Sequence, residues 1–95
     1  MIVLVAVLKA AEGKSDEVVE EFKKLVPKVR QDPGTIAYVI HRAVDDPTKI
    51  MVYEKYENRE ALQYHGQTEH FKEFGQATRS LFAARPEITM YEEVA

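Results

Sequence analysis

Hydrophobic residues fall along this chain in two rhythms, one of strands and one of helices. Ile2–Leu8 (IVLVAVL) is a continuous apolar run rich in β-branched residues, which predicts a strand covered on both faces. Residues 11–14 form a turn, and Ser15 is placed to cap a helix whose first turn carries Asp16 and Glu17. Val18, Phe22, Leu25 and Val29 then recur at helical spacing, supported by Val19 and Val26, while Glu20, Glu21, Lys24 and Lys28 fill the other side. The helix is expected to run to about Arg30. Pro27 removes one backbone hydrogen bond, so a kink or early fraying is expected there, and Asp32-Pro33-Gly34 ends the element.

From Thr35 the period changes to two. In Thr35–Arg42, Ile36, Tyr38, Ile40 and Arg42 share one face, and Ala37, Val39 and His41 the other. Residues 45–48 (DDPT) are a turn signal, and Lys49–Tyr56 makes the second arm of a hairpin. Ile50, Val52, Glu54 and Tyr56 lie on one face of that arm, with Met51, Tyr53 and Lys55 opposite. Asn58 can cap a short helix carrying Ala61, Leu62 and His65, interrupted at Gly66. Thr68 can cap a second helix with a stripe of Phe71, Phe74, Thr78, Leu81 and Phe82. Pro86 closes it, and Ile88–Val94 is the last strand.

The order β-α-β-β-α-β is that of a split βαβ, the ferredoxin-like α+β sandwich, with residues 1–95 as a single domain. Helices cover one face of such a sheet. The strands nevertheless carry apolar residues on both faces, where a sheet with one wet face would alternate. A second copy of the chain is therefore expected on the outer face, giving a homodimer or a larger assembly.

Composition narrows the class. A hydrophobic fraction of 45% with 31% charged residues excludes a disordered chain. A net charge of −3 argues against a nucleic-acid module. The absence of cysteine excludes disulfide staples, thiol nucleophiles and thiolate metal sites. The apolar run at 2–8 is far short of the roughly 20 residues of a membrane span and lacks the flanks of a signal peptide. A soluble cytoplasmic protein, with no membrane partner, is expected.

Candidate chemistry concentrates in residues 52–74. A carboxylate (Glu54), a phenol (Tyr56) and imidazoles (His65, His70) converging near Phe71 could carry proton transfer, since histidine titrates near neutrality and a carboxylate can fix its tautomer. The bland alternative stands beside it: a histidine at a helix end often only faces water, and Tyr56 can be core. Glu54 falls on an otherwise apolar strand face, where an acid needs a partner. An ion pair with Arg42 explains it as well as catalysis does. His65 and His70 are five apart rather than at the i, i+4 spacing of helical metal ligands, so no metal site is expected. No serine elbow or glycine-rich phosphate loop is present.

Several of these features stand in an order that resembles the antibiotic biosynthesis monooxygenase family: Pro33-Gly34 before the second strand, Asp46-Pro47 in the hairpin, Glu54-x-Tyr56, Ala61-x-x-x-His65 and His70-Phe71. The resemblance implies a dimeric α+β barrel that joins through its sheets. It implies oxygenation of a quinol-like or dihydroxyaromatic molecule by O2 without metal or flavin. It places Glu54, Tyr56, His65 and His70 on the pocket motif, with Tyr where relatives often carry Trp. His65 is then expected to act as general base and Glu54 to orient or charge-pair. Tyr56, His70 and Phe71 would contact substrate, as would Tyr38 and Arg42. A haem-degrading branch is disfavoured, because the chain has no Trp and no Asn in Ile2–Leu8. A proton-transfer isomerase of a small polyol phosphate, whose motif region is similar to residues 52–71, and a non-catalytic binder of a hydrophobic metabolite remain as alternatives.

Overall fold

A computed structural model describes residues 1–95. The elements are β1 (Ile2–Lys9), α1 (Ser15–Val29), β2 (Thr35–Arg42), β3 (Lys49–Tyr56), α2 (Arg59–Gly66), α3 (Glu69–Thr78) and β4 (Glu87–Glu92). The four strands form one sheet in the order β2-β3-β1-β4, antiparallel throughout. This is the ferredoxin-like α+β arrangement, with its second helical connection split into α2 and α3. No helix is long and apolar enough to cross a membrane.

The registers define the face that the helices cover. Glu54 of β3 stands opposite Leu4 on one side and Tyr38 on the other, and Val52 stands between Ala6 and Ile40. Directly opposed residues share a face, so these side chains form one layer beneath the helices. Onto that layer α1 packs Val18, Phe22, Leu25 and Val29, all buried, and Phe22 meets Phe74 of α3 with ring centroids 4.5 Å apart. Each such side chain contributes roughly 1.5–3 kcal/mol by leaving water.

Local chemistry departs from the sequence expectation at four places. Lys14, not Ser15, precedes α1 as its cap, without a side-chain cap bond. Ser15 is the first helical residue, and its hydroxyl instead donates to the carbonyl of Pro47 in the β2–β3 turn. Pro27 does not fray the helix. It lies on the exposed side of the last turn, where a carbonyl left without its donor meets water, and Arg30 N–H still reaches Val26 O at 3.0 Å. Leu81 and Phe82 are not on α3, which ends at Thr78. They lie in a segment that pairs with the end of β1 (Ala11 N–H to Leu81 O and Ala83 N–H to Lys9 O, both 2.8 Å), because those edge groups of β1 need partners. The last strand, Glu87–Glu92, begins and ends earlier than the expected 88–94.

Gly34 governs how closely β2 can start against α2. Its φ is +78°, and a Cβ there would sit 2.6 Å from the Cβ of Ala61. Gly13 shares the left-handed backbone (φ +77°) but faces open space. Gly13→Ala is therefore expected to cost about 1 kcal/mol from backbone strain alone, and Gly34→Ala roughly 2–4 kcal/mol as overpacking is added. Urea denaturation midpoints of the two variants check the difference.

Candidate active site

Between the covered sheet face and helices α2 and α3 lies a cavity of about 360 Å³, walled mainly by apolar side chains such as Leu4, Val52, Phe71 and Phe74. Glu54, His65 and Tyr38 also line it. Two caps position the imidazole. Asn58 accepts from Ala61 N–H at 2.9 Å and starts α2, at whose end His65 stands. Thr68 then joins α2 to α3: its buried hydroxyl donates to His65 O at 2.9 Å and accepts from Phe71 N–H at 3.3 Å. The Phe71 ring is thereby held with its centroid 4.7 Å from that of the imidazole, and the Tyr38 ring lies tilted against the imidazole at a centroid distance of 5.3 Å.

The carboxyl of Glu54 accepts a hydrogen bond from the Tyr56 hydroxyl at 2.5 Å. Tyr56 follows two residues later on the same strand face and is fully buried. His65 Nε2 lies 3.9 Å from Glu54 Oε1, too far for a direct hydrogen bond and near enough for both to contact one small group between them. On the other side of the ring, Nδ1 is buried without a hydrogen-bond partner, 3.9 Å from Asp32 Oδ2. Asp32 in turn accepts from the ring N–H of His70, Nε2 to Oδ2, at 2.9 Å. The Asp32 carboxylate favours the tautomer with its proton on Nδ1, which leaves the Nε2 lone pair on the Glu54 side.

Burial sets the protonation states. It raises the Glu54 carboxyl to about 7, against the lowering effect of the Tyr56 bond. It lowers the His65 imidazole to about 4, against the raising effect of Asp32. Burial, reinforced by the nearby Glu54 charge, also raises the Tyr38 and Tyr56 hydroxyls. Near neutrality the imidazole is thus uncharged and Glu54 is poised to exchange a proton. His70, Asp32, His65 and Glu54 are strung out as a row, and no three such side chains are grouped to hold a metal ion.

The residues singled out in the sequence divide accordingly. Glu54, His65, Tyr38 and Phe71 meet at the cavity. Tyr56 does not line it but stands behind Glu54 as its donor. His70 also lies outside the wall, bonded to Asp32. Arg42 is not brought to the site. It opposes Ile50 rather than Glu54 in the register, and it pairs with Asp16 at 3.1 Å instead of with Glu54. Asp32 was legible only as the acid of an Asp-Pro-Gly turn, a common turn composition that carries no sign of burial.

With this geometry in place, comparison with known proteins places the chain in a family. The pattern of the antibiotic biosynthesis monooxygenase family matches residues 1–77, and the chain belongs to that family. YcnE of Bacillus subtilis, a monooxygenase by name alone, is 28% identical over 92 residues, covering 97% of both chains. An uncharacterized protein of Synechocystis sp., sll1783, is 30% identical over 91 residues. That alignment covers 96% of this chain, which spans only 62% of the length of that relative. Among solved structures, a protein from Caulobacter crescentus described under the same family name superimposes with a TM-score of 0.94 at 33% identity, covering 99% of this chain and 90% of that one. One from Nitrosomonas europaea superimposes with a TM-score of 0.97 at 21% identity over the full length of both, a likeness of fold.

The shifted pair has a measurable consequence for stability. Relative to an ordinary value of 4.5, the raised Glu54 holds a proton in the folded state that the unfolded chain releases, so its contribution falls as pH rises from about 4.5 to 7. Relative to 6.5, the lowered His65 stays neutral while the unfolded chain protonates, so its contribution falls as pH drops from about 6.5 to 4. Across the shared window the two slopes oppose. Folding moves a proton from imidazole to carboxyl with little net uptake. Relative to wild type, Glu54→Gln is expected to gain stability as pH rises from about 4.5 to 7, and His65→Asn as pH falls from about 6.5 to 4. Each change should reach about 2–3 kcal/mol across its window. Urea midpoints between pH 4 and 8 test this, and two variants that track wild type would refute the proton transfer.

Proposed function

We propose that the protein is a cofactor-independent monooxygenase of a quinol-like or other dihydroxyaromatic molecule. The observation that carries this reading is a carboxyl held near neutrality, beside an uncharged imidazole, on the wall of an apolar cavity. The family description and the name of the B. subtilis relative support it.

In this mechanism the ionised carboxylate of Glu54 accepts the phenolic proton of a substrate hydroxyl that sits between it and the uncharged ring of His65. The base role thus passes from His65, the sequence expectation, to Glu54. An imidazole at about 4 is a weak base at neutral pH, whereas a carboxylate near 7 is matched to the task. The aromatic anion reduces O2 by one electron, and recombination forms a C–O bond at the ring. Loss of water then leaves one oxygen atom in the oxidised product and the other in water. Apolar walls keep bulk water from quenching the anion. Those walls offer few partners to the hydroxyls of a polyol phosphate, which favours the aromatic reading over the isomerase.

We also propose that the chain works as a homodimer joined through the outer sheet face. There Val5, Val7, Met51 and Tyr53 are only half-buried, and Val39 and Tyr91 are exposed, in a chain that buries just 19 of its 95 residues. Val5→Glu, at the middle of the central strand β1, is expected to yield monomers in sedimentation equilibrium. An unchanged mass would refute this interface.

Oxygen uptake with menadiol, corrected for autoxidation, tests the activity. Glu54→Gln is expected to lower the rate at least about a hundredfold. Tyr56→Phe removes the bond that lowers Glu54, so the acid limb of the pH–rate profile should move upward from about 7. Menadiol binding without uptake would favour a sequestering protein, and full activity in Glu54→Gln would remove the carboxyl from the mechanism.

A further inference from the structure

The family pattern stops at residue 77, but the cavity does not. Its remaining wall is supplied by Thr78, Arg79, Phe82, Pro86 and Ile88. The groups proposed to handle protons lie within the matched stretch, and this wall lies beyond it.

Arg79 is the one arginine or lysine on the cavity wall. It stands immediately after α3, where the last carbonyls of the helix favour a cation. The guanidinium of Arg30 is engaged by the Tyr38 carbonyl, and that of Arg42 by Asp16. Arg79 enters none of the ion pairs of the structure. Helix α3 sets its distance from the proton-handling end. Phe71 packs against His65, and Arg79 follows about 12 Å further along the helix axis at the rise of an α-helix. The cavity is thus polar at two separated places, with the rings of Phe74 and Phe82 also on its wall.

We infer that the substrate is an aromatic acid: a flat ring system with its reactive hydroxyl at Glu54 and His65, and a carboxylate at the far end, held by Arg79. This rests on the reading of the cavity as an aromatic site. A guanidinium suits the task, because its planar fork meets a carboxylate through two parallel charge-assisted bonds. A neutral aromatic of the same shape leaves that fork to solvent.

Equilibrium binding of two fluorescent probes at pH 6 tests the inference without turnover: 6-hydroxy-2-naphthoate, with hydroxyl and carboxylate at opposite ends, and 2-naphthol, which lacks the carboxylate. Wild type is expected to bind the acid about tenfold more tightly than the naphthol, the scale of one charge-assisted contact at a partly wet site. Arg79→Gln should abolish that advantage while leaving naphthol affinity within about twofold, and Arg79→Lys should restore part of it. Equal affinities in wild type, or an advantage that survives Arg79→Gln, would overturn the inference alone. Failure of both probes to bind wild type would overturn it together with the aromatic reading of the cavity.

Discussion

Glu54 sits in the layer of side chains that the helices cover, and an ionised carboxylate there, without partners, would cost several kcal/mol. The structure meets that cost in two ways. Tyr56, on the same strand face, donates to the carboxyl, and burial raises the group until it keeps its proton over most of the acid range. Both solutions hold an acid poised at neutral pH in a place where water is scarce. The same scarcity that makes the residue expensive makes it useful, since a carboxyl near 7 can take and return a proton under ordinary conditions.

The imidazole depends on a different set of constraints. His65 is fixed by two helix caps, Asn58 and Thr68, and flanked by the rings of Tyr38 and Phe71. Behind it, Asp32 lies between the two histidines, bonded to His70 and near the unpartnered Nδ1 of His65. Asp32 reaches this position because the chain turns sharply after α1, and Gly34 permits that turn by lying closer to Ala61 than any other residue could. A backbone conformation at one glycine thus helps to place the acid that sets the electrostatics of a histidine on another element.

The sheet divides the work of the molecule. Its inner face carries the site, and its outer face carries apolar residues that one copy of the chain leaves partly uncovered. The ferredoxin-like frame does not itself dictate chemistry. In this chain the stretch matched by the family pattern holds Glu54 and His65, and residues beyond it complete the wall of the cavity.

Periodicity alone determined the element order, both caps before the site, and the grouping of Glu54 and Tyr56 on one face, because strand alternation and helix spacing are properties of neighbouring residues. It also marked His65, Tyr38 and Phe71 as candidates. It could not show that Leu81 and Phe82 leave the helix, since their partners are backbone groups of β1, some seventy residues earlier. Nor could it separate Arg42, which register carries away from Glu54 to Asp16, from Arg79, which the end of α3 delivers to the cavity. Asp32 looked like any turn acid until the fold buried it. Which residues share a strand face is local and written in order along the chain. Which charges meet, and how far burial moves their protons, depends on contacts between distant segments, and only the tertiary structure decides those.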